Sequence, residues 1–122
     1  NRICAVTFAD ADSFKKINDT YGHERGDEII RTIAKVLSDE CPKDGYVYRF
    51  GGDEFVAFFP CNDSGDGEKF RNNAVARLAE DNIHISMGLA ITKPSEKRNF
   101  EYYLQEADKN MYKIKNSKKR LD

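Results

Sequence analysis

Four acidic residues flank predicted strands, in positions from which their side chains can share a metal ion. Asp10 and Asp12 follow the apolar run at residues 3–8, and Asp53 and Glu54 follow a pair of glycines. Adjacent carboxylates repel one another unless a cation lies between them. Their hard oxygen atoms suit Mg²⁺ or Mn²⁺, which usually bind a few carboxylates together with substrate phosphates. The pattern favours metal-assisted chemistry on a phosphorylated substrate; exposed acids in an ordinary hairpin are the alternative.

Two further segments are suited to hold phosphates. The residues from Ser13 to Lys15 begin a predicted short helix, and the free N–H groups of a helix N-terminus bind anions. Lys115 and Lys119 belong to a basic segment near the end of the last predicted helix. The alternative for these lysines is a solvated helix end stabilised by the helix dipole. Both interpretations of the basic segment stay open at this point.

The elements that must position these residues follow from hydrophobic periodicity and from turn residues. Their order is β-α-α-β-β-α-β-α, which contains the split βαββαβ arrangement of ferredoxin-like folds. We therefore predict an α+β, palm-like fold with a mostly antiparallel central sheet flanked by helices. The predicted strands are 3–8, 46–50, 55–59 and 83–91, and the predicted helices include 14–21, 26–39 and a last helix striped from Phe100 to Ile114.

The connections decide where the acids meet. The first two strands should be parallel, because a right-handed helical crossover joins them. The third strand turns back and fits between them, so Asp10 and the pair Asp53 and Glu54 should meet at one sheet edge. Gly51 and Gly52 predict a tight hairpin at that edge, since glycine accepts a positive φ. The last helix should deliver its lysines to the same end.

Bulk composition limits the other functions. The chain has 122 residues with a net charge of −1, which suits one domain and argues against general attraction to nucleic acid. Cys4, Cys41 and Cys61 show no disulfide or metal spacing, which favours a reducing cytoplasm. The abrupt start in an apolar run indicates a piece of a longer protein, truncated at its N-terminus. Tethering to the inner membrane through the missing region is left open.

Three blocks of the sequence resemble the GGDEF family of diguanylate cyclases. Residues 49–55 read RFGGDEF, and residues 14–23 read FKKINDTYGH, followed by Gly26 and Asp27. Ala107, Asp108, Tyr112 and Lys115 are similar to the C-terminal helix of the family. The resemblance extends over nearly the whole chain, with the blocks in the right order and at the right separation.

The resemblance implies a metal site and a catalytic centre. Asp10 and Asp53 would bind metal through their side chains, and Ala11 through its backbone carbonyl. Glu54 would be a further metal ligand or would help to deprotonate an attacking 3′-hydroxyl. The family uses Mg²⁺ or Mn²⁺, two ions per active site. The catalytic residues implied in this way are Asp10, Asp53 and Glu54.

The resemblance also implies a GTP site. Asn18 and Asp27 would hydrogen-bond the guanine base, although Asp27 could instead be a helix N-terminal acid. The backbone amides of residues 13–15 would hold the β- and γ-phosphates, and two lysines would supply charge. The implied substrate-binding set is Asn18, Asp27, Ser13, Phe14, Lys15, Gly51, Gly52, Lys115 and Lys119.

The function implied by the resemblance is the condensation of two GTP molecules into cyclic di-GMP. Each domain of the family holds one GTP, so catalysis requires a homodimer, and an upstream sensory or dimerising domain usually controls it. A catalytically inactive, GTP-binding regulatory domain is the first alternative. A nucleotidyl transferase acting on a polynucleotide is the second, and the mild net charge counts against it.

Two departures from the family pattern carry further expectations. The family's product-inhibition motif has an Arg three residues before an Asp, whereas Cys41 stands three residues before Asp44. We therefore predict no product inhibition of that type. The usual Gly-Arg near the end of the last helix is replaced by Lys118 and Lys119. Lysine lacks the bidentate fork of arginine, so we expect weaker binding of the triphosphate.

Overall fold

The computed structural model describes the backbone of residues 2–121 and the side chains of residues 2–119. Its strands are β1 (Cys4–Ala11), β2 (Tyr46–Arg49), β3 (Glu54–Pro60) and β4 (Ile85–Ile91). Its helices are α1 (Phe14–Tyr21), α2 (His23–Glu40), α3 (Asp66–Glu80) and α4 (Phe100–Leu121), with a short 3₁₀ turn at Pro94–Glu96. None of the described helices is long and apolar enough to cross a membrane.

The described strands form a sheet in the order β2-β3-β1-β4, and every neighbouring pair is antiparallel. β1 and β2 are therefore parallel to each other and lie on either side of β3. This arrangement confirms the predicted α+β fold with an antiparallel sheet flanked by helices. It also confirms that the third strand fits between the first two.

Helices cover both faces of the sheet. The stripe of α2, which includes Ile29, Ile33 and Leu37, packs with α3 against one face. On the other face, Tyr103, Ala107 and Met111 of α4 pack against apolar residues of β1 and β3. Because side chains alternate along a strand, the even-numbered residues of β1 from Val6 onward point toward α4. The end of this row, Asp10, therefore points toward the helix that carries the lysines.

A positive φ occurs at a different glycine from those predicted. Gly51 and Gly52 were predicted to turn the hairpin through a positive φ, and this is wrong: among the described glycines, Gly22 has the positive φ, at 90°. The β2–β3 turn is instead wider, with the Phe50 amide donating to the Glu54 carbonyl at 2.8 Å. Gly22 lets the chain break between the two helices, and α2 begins at His23, earlier than predicted.

Candidate functional site

The strand register brings the predicted acids together at one sheet edge. Asp10 of β1 lies directly opposite Glu54 of β3, and the Ala11 amide donates to the Asp53 carbonyl at 3.2 Å. The Cα atoms of directly opposite antiparallel residues are about 4.5–5.5 Å apart, and their side chains leave the same face. The carboxylate of Asp10 thus lies near those of Asp53 and Glu54 at this sheet edge, although Asp10 is far from both in sequence.

Asp10 is the most enclosed of these acids, with 8% of its surface exposed. Burial raises the pKa of its carboxyl, and the negative charges of Asp53 and Asp12 add to that effect, while Lys115 opposes it. Lys115 Nζ donates to Asp10 Oδ2 at 2.7 Å. Within the described residues Asp10 Oδ1 has no hydrogen-bond partner. A buried carboxylate oxygen without a partner is costly, and binding a cation would remove that cost.

Glu54 occupies a similar environment. Burial raises the pKa of its carboxyl, and the neighbouring charges of Asp53 and Asp10 raise it further. Gly51 lies so close that a Cβ atom built on it would be 2.2 Å from Glu54 Oε1. The glycine therefore leaves the space in which the Glu54 carboxylate lies.

The donor set fits a divalent cation that is partly held by its substrate. No group of three His, Cys, Asp or Glu side chains in the described part of the chain is placed to hold a metal alone. Mg²⁺ usually keeps several waters and is bound through one or two carboxylates plus substrate phosphates. The carboxylate oxygen atoms at this edge, of which Asp10 Oδ1 has no partner among the described residues, suit that mode of binding. They do not suit a structural site in which protein side chains supply every ligand.

A cavity of about 700 Å³ opens beside the acids. It brings together most of the residues predicted to hold metal and phosphate. Asp10 and Glu54 are not among the residues that line it; Asp10 is joined to the lining residue Lys115 by the contact described above. The lining residues are Ala11, Asp12, Ser13, Phe14, Lys15, Asp53, His84, Lys115, Lys118 and Lys119.

The N-terminus of α1 faces this cavity. Ser13 precedes the helix in the left-handed region, with φ 56°, and within the described residues its side chain makes no capping hydrogen bond. The first N–H groups of a helix have no partner inside the helix, and they attract anions. The predicted phosphate-binding amides of Ser13, Phe14 and Lys15 therefore lie at the cavity wall, next to the lysines of α4.

The residues predicted to bind guanine lie on α1 and α2, outside the residues that line the cavity. Asn18 packs against Gly26 so closely that a Cβ atom there would be 1.8 Å from Asn18 Oδ1. This oxygen is buried and has no hydrogen-bond partner within residues 2–121. The next residue, Asp27, is exposed. Asn18 therefore lies against the residue that precedes Asp27, across the contact between the two helices.

Sequence reasoning missed two sets of contacts at this edge. Arg49 Nε donates to the carbonyls of Gly51 and Gly52, at 3.1 and 3.0 Å, and so holds the hairpin turn. Ser86 and Lys118 both donate to the carboxylate of Asp12. The identity of Arg49 within the RFGGDEF block was a usable signal. Ser86, in a mostly apolar strand, gave none.

Comparisons with known proteins agree with this geometry. Residues 1–120 match the family model described as diguanylate cyclase, GGDEF domain. The chain is 35% identical over 109 residues to the probable diguanylate cyclase DgcI of Escherichia coli strain K12, covering 87% of this chain and 24% of DgcI. It is 32% identical over 111 residues to the diguanylate cyclase DgcS of Shewanella oneidensis, covering 88% of this chain and 38% of DgcS.

The fold is also similar to solved GGDEF domains. The domain of DgcB from Caulobacter crescentus, in complex with c-di-GMP, matches with a TM-score of 0.87 and 25% identity, over 95% of this chain and 74% of that chain. The domain of YfiN (TpbB) from Pseudomonas aeruginosa matches with a TM-score of 0.85 and 29% identity, over 95% of this chain and 73% of that chain. With acids, helix N-terminus and lysines gathered at the edge where the signature lies, the chain belongs to the GGDEF family, which includes the diguanylate cyclases of c-di-GMP signalling.

Proposed function

We propose that this chain is the catalytic domain of a diguanylate cyclase, which condenses two GTP molecules into cyclic di-GMP and two pyrophosphates. The observation that supports this most directly is the meeting of Asp10 with Asp53 and Glu54 beside the N-terminus of α1. The chain spans less than half of either curated relative named above, so we infer one GGDEF domain, residues 1–122, within a longer protein. Its isolated, unpaired cysteines favour a cytoplasmic location.

The side chains of Asp10 and Asp53 and the carbonyl of Ala11 are the groups that would hold Mg²⁺ or Mn²⁺. Two bound ions would lower the pKa of the attacking hydroxyl and neutralise charge on the leaving pyrophosphate. Burial raises the pKa of Glu54, which makes its carboxylate a stronger base than an exposed one and suits it to accept the proton of the 3′-hydroxyl. Each 3′-oxygen then forms a bond to an α-phosphorus as the bond to pyrophosphate breaks.

Other residues would bind and orient the nucleotide. The amides of residues 13–15 would hold the β- and γ-phosphates, with Lys115 and Lys119 supplying positive charge. The carboxylate of Asp27 would accept hydrogen bonds from the N1–H and the amino group of guanine, and the side-chain amide of Asn18 would make a further hydrogen bond to the base. A site built on such bonds rejects adenine, because the wrong base leaves polar groups unpaired.

The test is turnover by the protein that carries this chain. Incubation with GTP and Mg²⁺, followed by separation of products by mass, should yield cyclic di-GMP and pyrophosphate. Asp53→Ala should abolish turnover, because it removes a metal-binding carboxylate from the edge. Glu96→Ala removes an exposed acid from the 3₁₀ turn at the opposite end of the sheet and serves as the matched control.

Each other outcome would redirect the assignment. Bound but unchanged GTP would favour the inactive regulatory domain, and extension of an added primer would favour a polynucleotide transferase. Retained activity in Asp53→Ala would refute the metal assignment.

A further inference from the structure

Both carboxylate oxygens of Asp12 are held by other elements. Ser86 Oγ, on β4, donates to Asp12 Oδ1 at 2.6 Å, and Lys118 Nζ, on α4, donates to Asp12 Oδ2 at 2.6 Å. The Asp12 amide donates to the His84 carbonyl at 2.8 Å. Lys118 Nζ also donates to the carbonyl of Ile85 at 2.8 Å. We call the side chains of Asp12, Ser86 and Lys118 the Asp12 clasp.

The Asp12 clasp is partly buried, so its polar groups depend on the hydrogen bonds that they make with one another. Ser86 is 0% exposed and the side chain of Asp12 is 19% exposed. A buried hydroxyl and a largely buried carboxylate need partners, and hydrogen bonds to charged groups are the stronger ones. Lys118 reaches in from the surface, with 45% of its side chain exposed. It ties the C-terminal part of α4 to the end of β1.

The clasp holds the residue that immediately precedes the phosphate-facing turn. Ser13 follows Asp12 and has φ 56°, a region that residues other than glycine seldom occupy. Such a conformation persists only where surrounding contacts impose it. Asp12 is fixed on one side of Ser13 by the clasp, and α1 begins on the other side. The direction of the first amides of α1 therefore depends on where Asp12 is held.

We infer that Lys118 and Ser86 are positioning residues for the phosphate-binding N-terminus of α1 and act through Asp12. The inference rests on the proposed function, since it concerns the same GTP site. An ammonium has three N–H donors, and two of those of Lys118 are committed to Asp12 and Ile85. In the family pattern that this sequence resembles, the usual residue at position 118 is glycine. Glycine has no side chain and cannot make the contact that Lys118 makes with Asp12.

The test is a pair of substitutions measured separately and together in the GTP assay. Lys118→Ala should raise the KM for GTP about tenfold while kcat stays within about twofold. Lys118→Arg should restore the KM, because it keeps a cation near Asp12. Lys118→Ala combined with Asp12→Asn should be no worse than Asp12→Asn alone. If the two effects multiply instead, Lys118 contacts the nucleotide itself and the inference is overturned.

A second measurement does not depend on GTP. In the ligand-free protein, the amides of Asp12 and Ile17, which donate to the carbonyls of His84 and Ser13 on either side of the turn, should exchange hydrogen faster in Lys118→Ala than in the wild type. Lys113→Ala, which removes an exposed lysine from the same helix, should leave that exchange unchanged. Equal exchange in Lys118→Ala and the wild type would overturn the clasp. If the wild-type protein neither binds nor consumes GTP, the proposed function fails, and hydrogen exchange alone decides whether the clasp holds the turn.

Discussion

At the scale of residues, the site is a balance of unlike charges under partial burial. Burial raises the pKa of Asp10, and the hydrogen bond with Asp10 raises the pKa of Lys115 although burial opposes it. A carboxyl with a raised pKa stabilises the fold below its ordinary pKa, and this contribution is lost as the pH rises through the shifted value. In the folded protein the ionised form of Asp10 is therefore the disfavoured form, and a bound cation would offset its cost.

The two glycines of the signature should have different roles, although the sequence presents them as a pair. A Cβ atom on Gly51 would be 2.2 Å from Glu54 Oε1, whereas among the described residues no atom beyond the two chain neighbours lies within 4 Å of a Cβ atom on Gly52. Gly51→Ala should displace the carboxylate and lower kcat by about 100-fold, as expected for misplacing a group that acts in the transition state. Steady-state kinetics with GTP measure this.

Gly52→Ala is the matched control within the same turn. It leaves Glu54 undisturbed, so kcat should stay near the wild-type value, and any loss should occur in the KM through the approach of the nucleotide to the backbone. Neither glycine has a positive φ, so backbone strain does not separate the two variants. Equal loss of kcat in both would show that steric placement of Glu54 is not the reason for Gly51.

At the scale of elements, α4 positions the basic side of the site by lying directly on the sheet. A Cβ atom on Gly88 of β4 would be 2.0 Å from the carbonyl oxygen of Ala107 and 2.2 Å from the amide of Met111. Asn110 Nδ2 donates to the Leu89 carbonyl at 2.8 Å and fixes the helix along the strand. This contact sets the height at which Lys115 meets Asp10.

Gly88→Ala should therefore push α4 away from the sheet and destabilise the fold by about 3 kcal/mol, at the upper end of the usual cost of overpacking. The obstructing atoms belong to the backbone of a packed helix and have little freedom to move. Urea unfolding measures the change. Gly65→Ala, in the exposed loop before α3, meets only a carboxylate oxygen of Asp63 at 3.1 Å and should cost less than about 1 kcal/mol.

Periodicity and connection rules predict most of these elements. The stripe of α2 and the row Tyr103, Ala107 and Met111 of α4 are buried as their spacing requires. The order of the first three strands follows from one crossover and one hairpin, and it brings Asp10 opposite Glu54. These elements are predictable because burial of an apolar face determines them, and the spacing of apolar residues that forms such a face can be read within each segment.

The contacts that sequence reasoning missed depend on side chains meeting across distant segments. Ser86 is separated from Asp12 by 74 positions, and Lys118 by 106. A serine in an apolar strand is also compatible with a hydroxyl bonded to the backbone, so its type alone does not predict the clasp. The sequence likewise suggests that Gly51 is needed for its backbone freedom. The close approach of the Glu54 carboxylate to Gly51 leaves no pattern in the sequence from which it could be predicted.

At the scale of the whole molecule, the described chain gathers its acids, helix N-terminus and lysines at one sheet edge, beside one cavity. The proposed reaction requires two GTP molecules, each of which presents a 3′-hydroxyl to the other's α-phosphate. One such edge would supply the groups for one of the two nucleotides. Two copies that face each other would supply both sets, in an isologous arrangement in which each copy completes the other's site.

Mixing active and inactive subunits tests this requirement. When wild-type and Asp53→Ala proteins are co-expressed in equal amounts and pair at random, about a quarter of the dimers contain two intact edges. Formation of cyclic di-GMP per total protein should therefore fall to about a quarter of the wild-type rate, since a mixed dimer lacks one metal-binding carboxylate. Binding of GTP should fall much less, because Asp53→Ala leaves Asn18 and Asp27 unchanged. A rate of about half would mean that each edge works alone, and the paired arrangement would then be wrong.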